Sequence, residues 1–257
     1  MKKPYIILIA FLSLCCNVFA QHSRFATQGE IQFEKKINIH AMFRMSINKN
    51  NEVYMQKMFD EYKSKHPQFV TMKSTLLFSN QTTFFKPIKE EDNSLAFVRN
   101  SPGVQQINII QTDLKNKTSI TQKSIFEEIY LVKDSLRKIN WKITSETREI
   151  AGYPCRRANA VIMDSIYVVA FYTDKIPVSG GPESFTGLPG MILGVALPHE
   201  HMTWFATSVK DMPVSSSSFQ MPTKGKNIDS KNLKTTLENV FKQWGTAAKQ
   251  YLRFYFL

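Results

Sequence analysis

Residues 176–193 read IPVSGGPESFTGLPGMIL and form the densest cluster of glycine and proline in the chain. Two apolar runs with the length of strands, Ile166–Tyr172 and Met191–Leu197, border this stretch. Its prolines fix φ and remove backbone donors, and its glycines permit positive φ. Leu188-Pro189-Gly190 fits a type II turn, with proline second and glycine third. We call residues 176–193 the signature loop, and the pattern predicts that it holds a fixed backbone path.

Two interpretations of the signature loop are open. Glycines leave backbone amides uncovered, so the loop can cradle an anion or a peptide carboxylate. The candidate binding residues are then Gly180, Gly181, Pro182, Glu183, Phe185, Gly187, Leu188, Pro189 and Gly190. In the other interpretation the loop is a rigid crossover that closes one end of a sheet, with Phe185 and Leu188 tucked inward.

Several segments follow a pattern found in a known family. They are Phe33-Glu34, Leu76-Leu77-Phe78, Trp141-Lys142-Ile143-Thr144, Gly152-Tyr153 with Cys155, Phe171-Tyr172-Thr173, and Gly187-Leu188-Pro189-Gly190-Met191-Ile192-Leu193. The chain thereby resembles the GLPGLI family of Bacteroidetes envelope proteins from about Glu30 to about Leu197. Met191 stands where the family motif has leucine. The resemblance implies an exported protein, but it supplies no established activity and no site residues.

The periodicity of apolar residues predicts the fold class. Ile31, Phe33 and Ile37 alternate with period two and indicate a strand, whereas Tyr54, Met58 and Tyr62 indicate an amphipathic helix within 50–65, capped by Asn50 or Asn51. Further strands are predicted at 69–78, 81–85, 95–99, 104–113, 118–125, 129–133, 141–150, 156–163, 165–173, 191–197 and 202–210. We expect a mainly β protein. Its core would be a strongly curved antiparallel sheet or an incomplete barrel, with an amphipathic helix near the N-terminus and a C-terminal helix.

The chain divides into four predicted segments. Residues 1–20 have a basic start, a short apolar run and a small-residue end, which predicts a signal peptide cleaved after Ala20. Residues 21–210 form the antiparallel β domain, 211–229 a linker or surface loop, and 230–257 an amphipathic helix with an apolar tail. The last segment either packs on the domain or docks on a membrane or partner. We expect export to the periplasm, the outer membrane or the medium.

Charge and cysteine content narrow the function classes. The chain has 33 basic and 21 acidic residues, but they are scattered and no basic cluster is interleaved with aromatics. A nucleic-acid role is therefore not expected, and peripheral contact with an anionic membrane surface is the better use of the charge. Cys155 is the one cysteine outside the predicted signal peptide, and we interpret it as a small buried apolar group.

One pattern suggests a metal site. His199 and His201, followed by Met202, would share one side if they lay on a strand, and such a set suits copper. Met42 and Met45 near His40 can add thioether ligands. The alternative places both histidines, exposed to solvent, in a turn after Pro198.

Other catalytic patterns are weak. Glu183 with Asp174 can form a carboxylate pair for acid–base chemistry, although a surface salt bridge to Lys175 is the simpler interpretation. A hydrolase would need a buried pocket lined by both carboxylates and a histidine. No P-loop or dinucleotide motif occurs, so no cofactor is expected.

The hypotheses for function are therefore ordered. The first is a non-enzymatic envelope protein that binds an apolar or peptide ligand or docks to an outer-membrane partner such as a transporter. The second is an envelope copper-binding protein, and the third is a hydrolase.

Overall fold

The computed structural model describes residues 25–88, 102–105 and 107–257. The predicted signal peptide 1–20 and the predicted strand 95–99 lie outside these ranges. The strands are β1 (Gln28–Asn38), β2 (Phe69–Ser79), β3 (Thr82–Pro87), β4 (Asn108–Asp113), β5 (Thr118–Ile125), β6 (Glu128–Ser135), β7 (Lys142–Ile150), β8 (Tyr153–Ile162), β9 (Ile166–Thr173), β10 (Met191–Leu197), β11 (Met202–Asp211) and β12 (Lys226–Ile228). The α-helices are α1 (Ile39–Met45), α2 (Glu52–Lys65), α3 (Pro102–Gln105), α4 (Ser230–Val240) and α5 (Thr246–Tyr255).

One open sheet of 12 strands contains all strands of the described ranges, in the order β12-β6-β5-β4-β3-β2-β1-β11-β10-β9-β8-β7. Neighbours are antiparallel except β12, which pairs with β6 in parallel. Strand β1 joins the two halves of the sheet, because β2 lies on one side of it and β11 on the other. The mainly β class is thus confirmed, as a sheet that does not close into a barrel.

Alternation of side chains explains why these segments are strands. Along β1 nearly every second residue is buried, and the buried set includes Ile31, Phe33, Lys35 and Ile37. The predicted hairpin across 79–80 is observed between β2 and β3, with Asn80 at a φ of 53°. The strand predicted at 104–113 begins only at Asn108, because residues 102–105 form the helical turn α3.

The helix predicted within 50–65 is observed as α2, and it buries Phe59 and Tyr62. Asn51 is its N-cap residue, but the Asn51 side chain caps no helix amide. Instead, Asn51 Oδ1 accepts a hydrogen bond from the Asn48 amide at 2.7 Å.

The C-terminal segment is helical, as predicted, but it forms two helices. Gly245, with a φ of 56°, is the N-cap residue of α5, five residues after α4 ends. Both helices pack on β5 and β6 in a second apolar cluster, made of Ile125, Val132, Leu233, Leu237, Phe241 and Tyr255. Within the described ranges, no helix combines the length and apolarity that a membrane span requires.

Candidate functional site

The signature loop is part of the core. Among the candidate binding residues, Gly187 and Pro189 are exposed, and the others are buried: Gly180, Gly181, Pro182, Glu183, Phe185, Leu188 and Gly190. Phe185 is 0% exposed and Leu188 is 2% exposed. Both side chains belong to the main apolar core, which is the inward placement that the crossover interpretation expected.

Tight turns shape the backbone of the loop. The Gly190 amide donates to the Leu188 carbonyl at 2.8 Å, which closes a three-residue turn over Pro189. The predicted type II turn is therefore wrong, since that turn would join Leu188 to Met191. The Met191 amide instead donates to the Ile176 carbonyl at 3.0 Å and closes the base of the loop. A Cβ at Gly190 would lie 2.1 Å from the Thr173 carbonyl oxygen. This close approach of the two backbone segments requires glycine at position 190.

Glu183 is the buried charge of the loop. It is 6% exposed, has a φ of 52°, and accepts a hydrogen bond from Asn108 Nδ2 at 2.8 Å. The predicted surface salt bridge to Lys175 is therefore wrong, because the carboxylate faces the interior. Asp174, by contrast, is exposed and lines neither the cavity of about 480 Å³ nor the cavity of about 40 Å³.

Lys35 is one of two buried lysines near Glu183. Its Nζ donates to the Gly103 carbonyl at 2.7 Å and lies 5.0 Å from the ring centroid of Trp204. Trp204 is on β11, directly opposite Lys35 of β1. Burial lowers the pKa of Lys35, and the charge of Glu183 opposes that change.

Lys123 is the second buried lysine. It lies on β5 directly opposite Asn108 of β4 and is 9% exposed. Burial lowers the pKa of Lys123 from 10.5 to about 8. The carboxylate of Glu183 opposes this change, whereas the positive charges of Arg137 and Lys35 add to it.

A cavity of about 480 Å³ lies beside Lys123. Its polar lining includes Ser119, Thr121, Lys123, Asp134, Ser135, Arg137, Lys138, Ser184 and Ser230. Its apolar lining is Ile110, Val132, Leu136, Leu233, Phe256 and Leu257. Ser135 and Lys138 are exposed, so the cavity reaches the surface. A second cavity of about 40 Å³ is lined by Lys35, Asn108, Glu183 and Trp204, among others.

Arg137 is a half-buried residue of the lining of the large cavity. Its Nη2 donates to the Phe256 carbonyl, while its Nη1 is buried and has no hydrogen-bond partner among the described residues. Burial lowers the pKa of Arg137. Next to it, Ser184 of the signature loop donates to the Leu257 carbonyl at 2.8 Å. Two residues of the cavity lining, Arg137 and Ser184, therefore bind main-chain oxygens, and Arg137 keeps one N–H group without a partner among the described residues.

The proposed metal ligands occupy a turn. Pro198–Glu200 form a 3₁₀ helix, His201 follows in the left-handed conformation, and Met202 is buried at the start of β11. Both histidines thus lie in a turn, with His199 exposed and His201 half-buried. His40 Nε2 is hydrogen-bonded to the His66 carbonyl at 3.1 Å. Within the described part of the chain, no three or more His, Cys, Asp or Glu residues are grouped so as to hold a metal.

Apart from Glu183, the charged and amide residues of this site were missed from sequence, although a signal for two of them exists. Ile31, Phe33, Lys35 and Ile37 place a lysine in the inward phase of an apolar strand. Thr121, Lys123 and Ile125 do the same on β5. A lysine at such a position is rarely buried without a reason. No local signal identifies Asn108 or Arg137.

Together, the fold and the site define a mainly β protein with a buried charge cluster beside a basic cavity. Residues 160–194, which hold part of β8, all of β9, the signature loop and the start of β10, match a family described as "Protein of unknown function (Porph_ging)". No curated protein matches the chain.

Two solved structures of PNGF-II resemble the chain. In space group C2 the TM-score is 0.52 at 17% sequence identity, and 81% of this chain covers 32% of PNGF-II. In space group P21 the TM-score is 0.51 at 19% identity, and 82% of this chain covers 33% of PNGF-II. The chain thus spans about a third of the length of PNGF-II, and at this identity the likeness concerns the fold alone.

Proposed function

We propose that the protein binds, without catalysing a reaction, a small ligand that has an anionic head and an apolar or peptide body. The binding site is the cavity of about 480 Å³, a volume typical of small-molecule sites. The observation that supports the proposal is that Lys123 and Arg137 line the same cavity and that Arg137 Nη1 has no hydrogen-bond partner among the described residues. A buried donor without a partner is costly, and a carboxylate from a ligand supplies the missing acceptor.

The charges of the cavity favour an anion. Among the described side chains of the lining, Lys123, Arg137 and Lys138 contribute positive charge and Asp134 alone contributes negative charge. The Asp134 carboxylate is already engaged by the amides of Ser135 at 2.7 Å and Ser230 at 3.1 Å. An incoming anion therefore meets a surplus of positive charge in a partly desolvated site, where attraction is stronger than in water.

The apolar lining favours a hydrocarbon or side-chain body. Ile110 and Val132 come from the sheet, and Leu233 comes from α4, so three elements provide a wall for methylene groups. Main-chain recognition fits a peptide as well. Arg137 and Ser184 already bind the carbonyls of Phe256 and Leu257, which is the kind of contact a peptide ligand would make.

Octanoate, with octan-1-ol as its neutral counterpart, tests this function. We expect ligand-observed NMR to detect octanoate in the cavity. We also expect Arg137→Met to weaken octanoate binding about tenfold to a hundredfold, since a charge-assisted hydrogen bond is lost. Octan-1-ol should lose little affinity in the same variant, and this comparison also controls for an altered fold.

Arg156→Met is the matched control, because Arg156 is exposed on β8 and lines neither cavity. Octanoate binding that is absent, or equal in the wild type and Arg137→Met, would contradict the proposal.

We also propose that this binding takes place in the cell envelope. The support is the resemblance to the GLPGLI pattern and the signal-peptide features of residues 1–20, which lie outside the described residues. An outer-membrane protein such as a transporter is the proposed partner.

Cell fractionation with N-terminal mass spectrometry should find a chain that begins at Gln21. Crosslinking in intact cells should recover an envelope partner, and an intact N-terminus in the cytoplasm would overturn this location.

A further inference from the structure

The Lys123 amine has no hydrogen-bond or salt-bridge partner among the residues that the structure describes. The acidic residue that raises the pKa of Lys123 is Glu183, and the Asn108 side chain already donates to that carboxylate. The Lys123 side chain nevertheless lines a cavity of about 480 Å³ while only 9% of the residue is exposed. A lysine that lines a cavity and whose amine has no described partner is available to a ligand.

Burial is the main reason why the neutral form of Lys123 is favoured, and the neighbouring charges act in both directions. Arg137, from the segment after β6, and Lys35, from β1, repel the ammonium form, while Glu183 from the signature loop attracts it. Asp134 and Lys138 also line the cavity. Burial is the largest effect, and the pKa falls to about 8. At pH 7 roughly a tenth of the amine is then uncharged, on the order of a hundredfold more than for an ordinary lysine.

We propose that Lys123 is a nucleophilic site that condenses with the carbonyl group of a ligand, and that the ligand class is the 2-oxo acid. This inference rests on the proposed function, because Arg137 holds the carboxylate of the same ligand. The geometry points to this class since the amine and the guanidinium line one cavity, and a 2-oxo acid carries its carbonyl next to its carboxylate. Burial of lysine in an apolar site is an established way to activate such an amine.

The step balances without a cofactor. The lone pair of neutral Lys123 forms a bond to the carbonyl carbon, and the carbonyl π electrons move to its oxygen, which takes up a proton as the nitrogen loses one. The carbinolamine then releases its hydroxyl group with a proton as water, and a carbon–nitrogen double bond forms. Amine and carbonyl thus give imine and water, and nothing is oxidised or reduced.

Reductive trapping provides the test. The full chain is incubated with 2-oxooctanoate and sodium cyanoborohydride, which reduces an imine to a stable secondary amine, and peptides are analysed by mass spectrometry. We expect Lys123 to be alkylated at least about tenfold faster than Lys138, the exposed lysine of the same cavity. The rate should rise between pH 7 and pH 8.5 and level off above the pKa of Lys123.

Two comparisons separate this chemistry from simple exposure. Arg137→Met should slow trapping of 2-oxooctanoate by a larger factor than trapping of octan-2-one, which lacks the carboxylate and reports only the loss of neutral Lys123 that follows removal of the Arg137 charge. Octanoate should compete with 2-oxooctanoate and protect Lys123. Labelling spread over exposed lysines, without preference for Lys123, would overturn the inference.

Failure of the two proposals can be told apart. If octanoate binds but 2-oxooctanoate is never trapped on Lys123, the binding function stands and the nucleophilic site is wrong. If octan-2-one labels Lys123 selectively but octanoate does not bind, the amine is reactive and the anion-binding function is wrong. The variants Lys123→Arg and Lys123→Met should lose selective labelling, and circular dichroism checks that each is folded.

Discussion

Asn108 and Glu183, 75 residues apart in sequence, meet through one buried hydrogen bond of 2.8 Å. Asn108 belongs to β4 and Glu183 to the signature loop, so this contact fastens the loop to the opposite half of the sheet. It also gives the carboxylate a donor where water has little access, since Asn108 is 2% exposed and Glu183 is 6% exposed.

Asn108→Ala should destabilise the protein by about 1–3 kcal/mol, because the variant leaves a buried carboxylate without its donor. Chemical denaturation measures the change as a shift of the midpoint. Asn116→Ala is the matched control: Asn116 also donates to a carboxylate, that of Asp113 at 2.7 Å, but that contact is exposed. The control should cost less than about 1 kcal/mol. Equal losses in the two variants would refute a special role for the buried contact.

Gly190→Ala should lower the free energy of unfolding by more than a positive φ alone would. Gly190 has a φ of 148°, and a Cβ there would lie 2.1 Å from the Thr173 carbonyl oxygen. The backbone of the loop has to shift, and we expect a loss of at least about 3 kcal/mol or failure to fold. Gly152→Ala separates the two effects, because Gly152 has a φ of 80° with nothing within 4 Å of the added Cβ. That variant should lose about 1–2 kcal/mol, measured by thermal unfolding.

Lys123 should make stability depend on pH in the alkaline range. Its pKa is about 8 in the folded state and near 10.5 in the unfolded chain, so the unfolded chain binds more protons between these values. Stability therefore rises with pH in this window, and the burial penalty is complete below pH 8. The full difference is on the order of 3 kcal/mol.

Lys123→Met should remove this rise and stabilise the protein at pH 7. Denaturation midpoints of the variant and the wild type, taken from pH 7 to pH 10.5, give the difference curve. Lys138→Met is the control, because Lys138 is exposed at the same cavity and should leave the slope unchanged. A wild-type slope that survives in Lys123→Met would assign the effect to another group.

Period-two alternation made the sheet predictable, because each strand carries its own pattern of inward residues. Strand neighbours were not predictable in the same way. Ile37 of β1 pairs with Met202 of β11, and no local signal spans that separation. The order of strands in the sheet brings Asn108 and Lys123 close to Glu183 of the signature loop. The cluster as a whole could therefore not be predicted, although Lys35 and Lys123 occupy inward positions of their strands.

The signature loop shows the same division between local and tertiary information. Glycine and proline indicated a fixed backbone, and the loop is ordered. Its turn type was wrong, because a hydrogen bond from the Met191 amide to Ile176 competes with the expected one. Whether the loop could serve as an exposed cradle depended on how much of it the rest of the protein covers. Phe185 and Leu188 are buried in the core, and this tertiary packing could not be read from the loop sequence.

Cys155 should be unreactive in the folded protein. It is 0% exposed on β8, its thiol donates to the Tyr153 carbonyl at 3.4 Å, and burial raises its pKa to about 12. The thiolate is the reactive species, so iodoacetamide at pH 8 should label the Cys155 peptide at least about a hundredfold more slowly in native protein than in denaturant. Mass spectrometry of that peptide makes the measurement, and Ala151→Cys, half-buried in the turn before β8, provides a more accessible control thiol in the same fold. Fast native labelling of Cys155 would mean that β8 opens locally, and it would contradict the packing of this edge of the sheet.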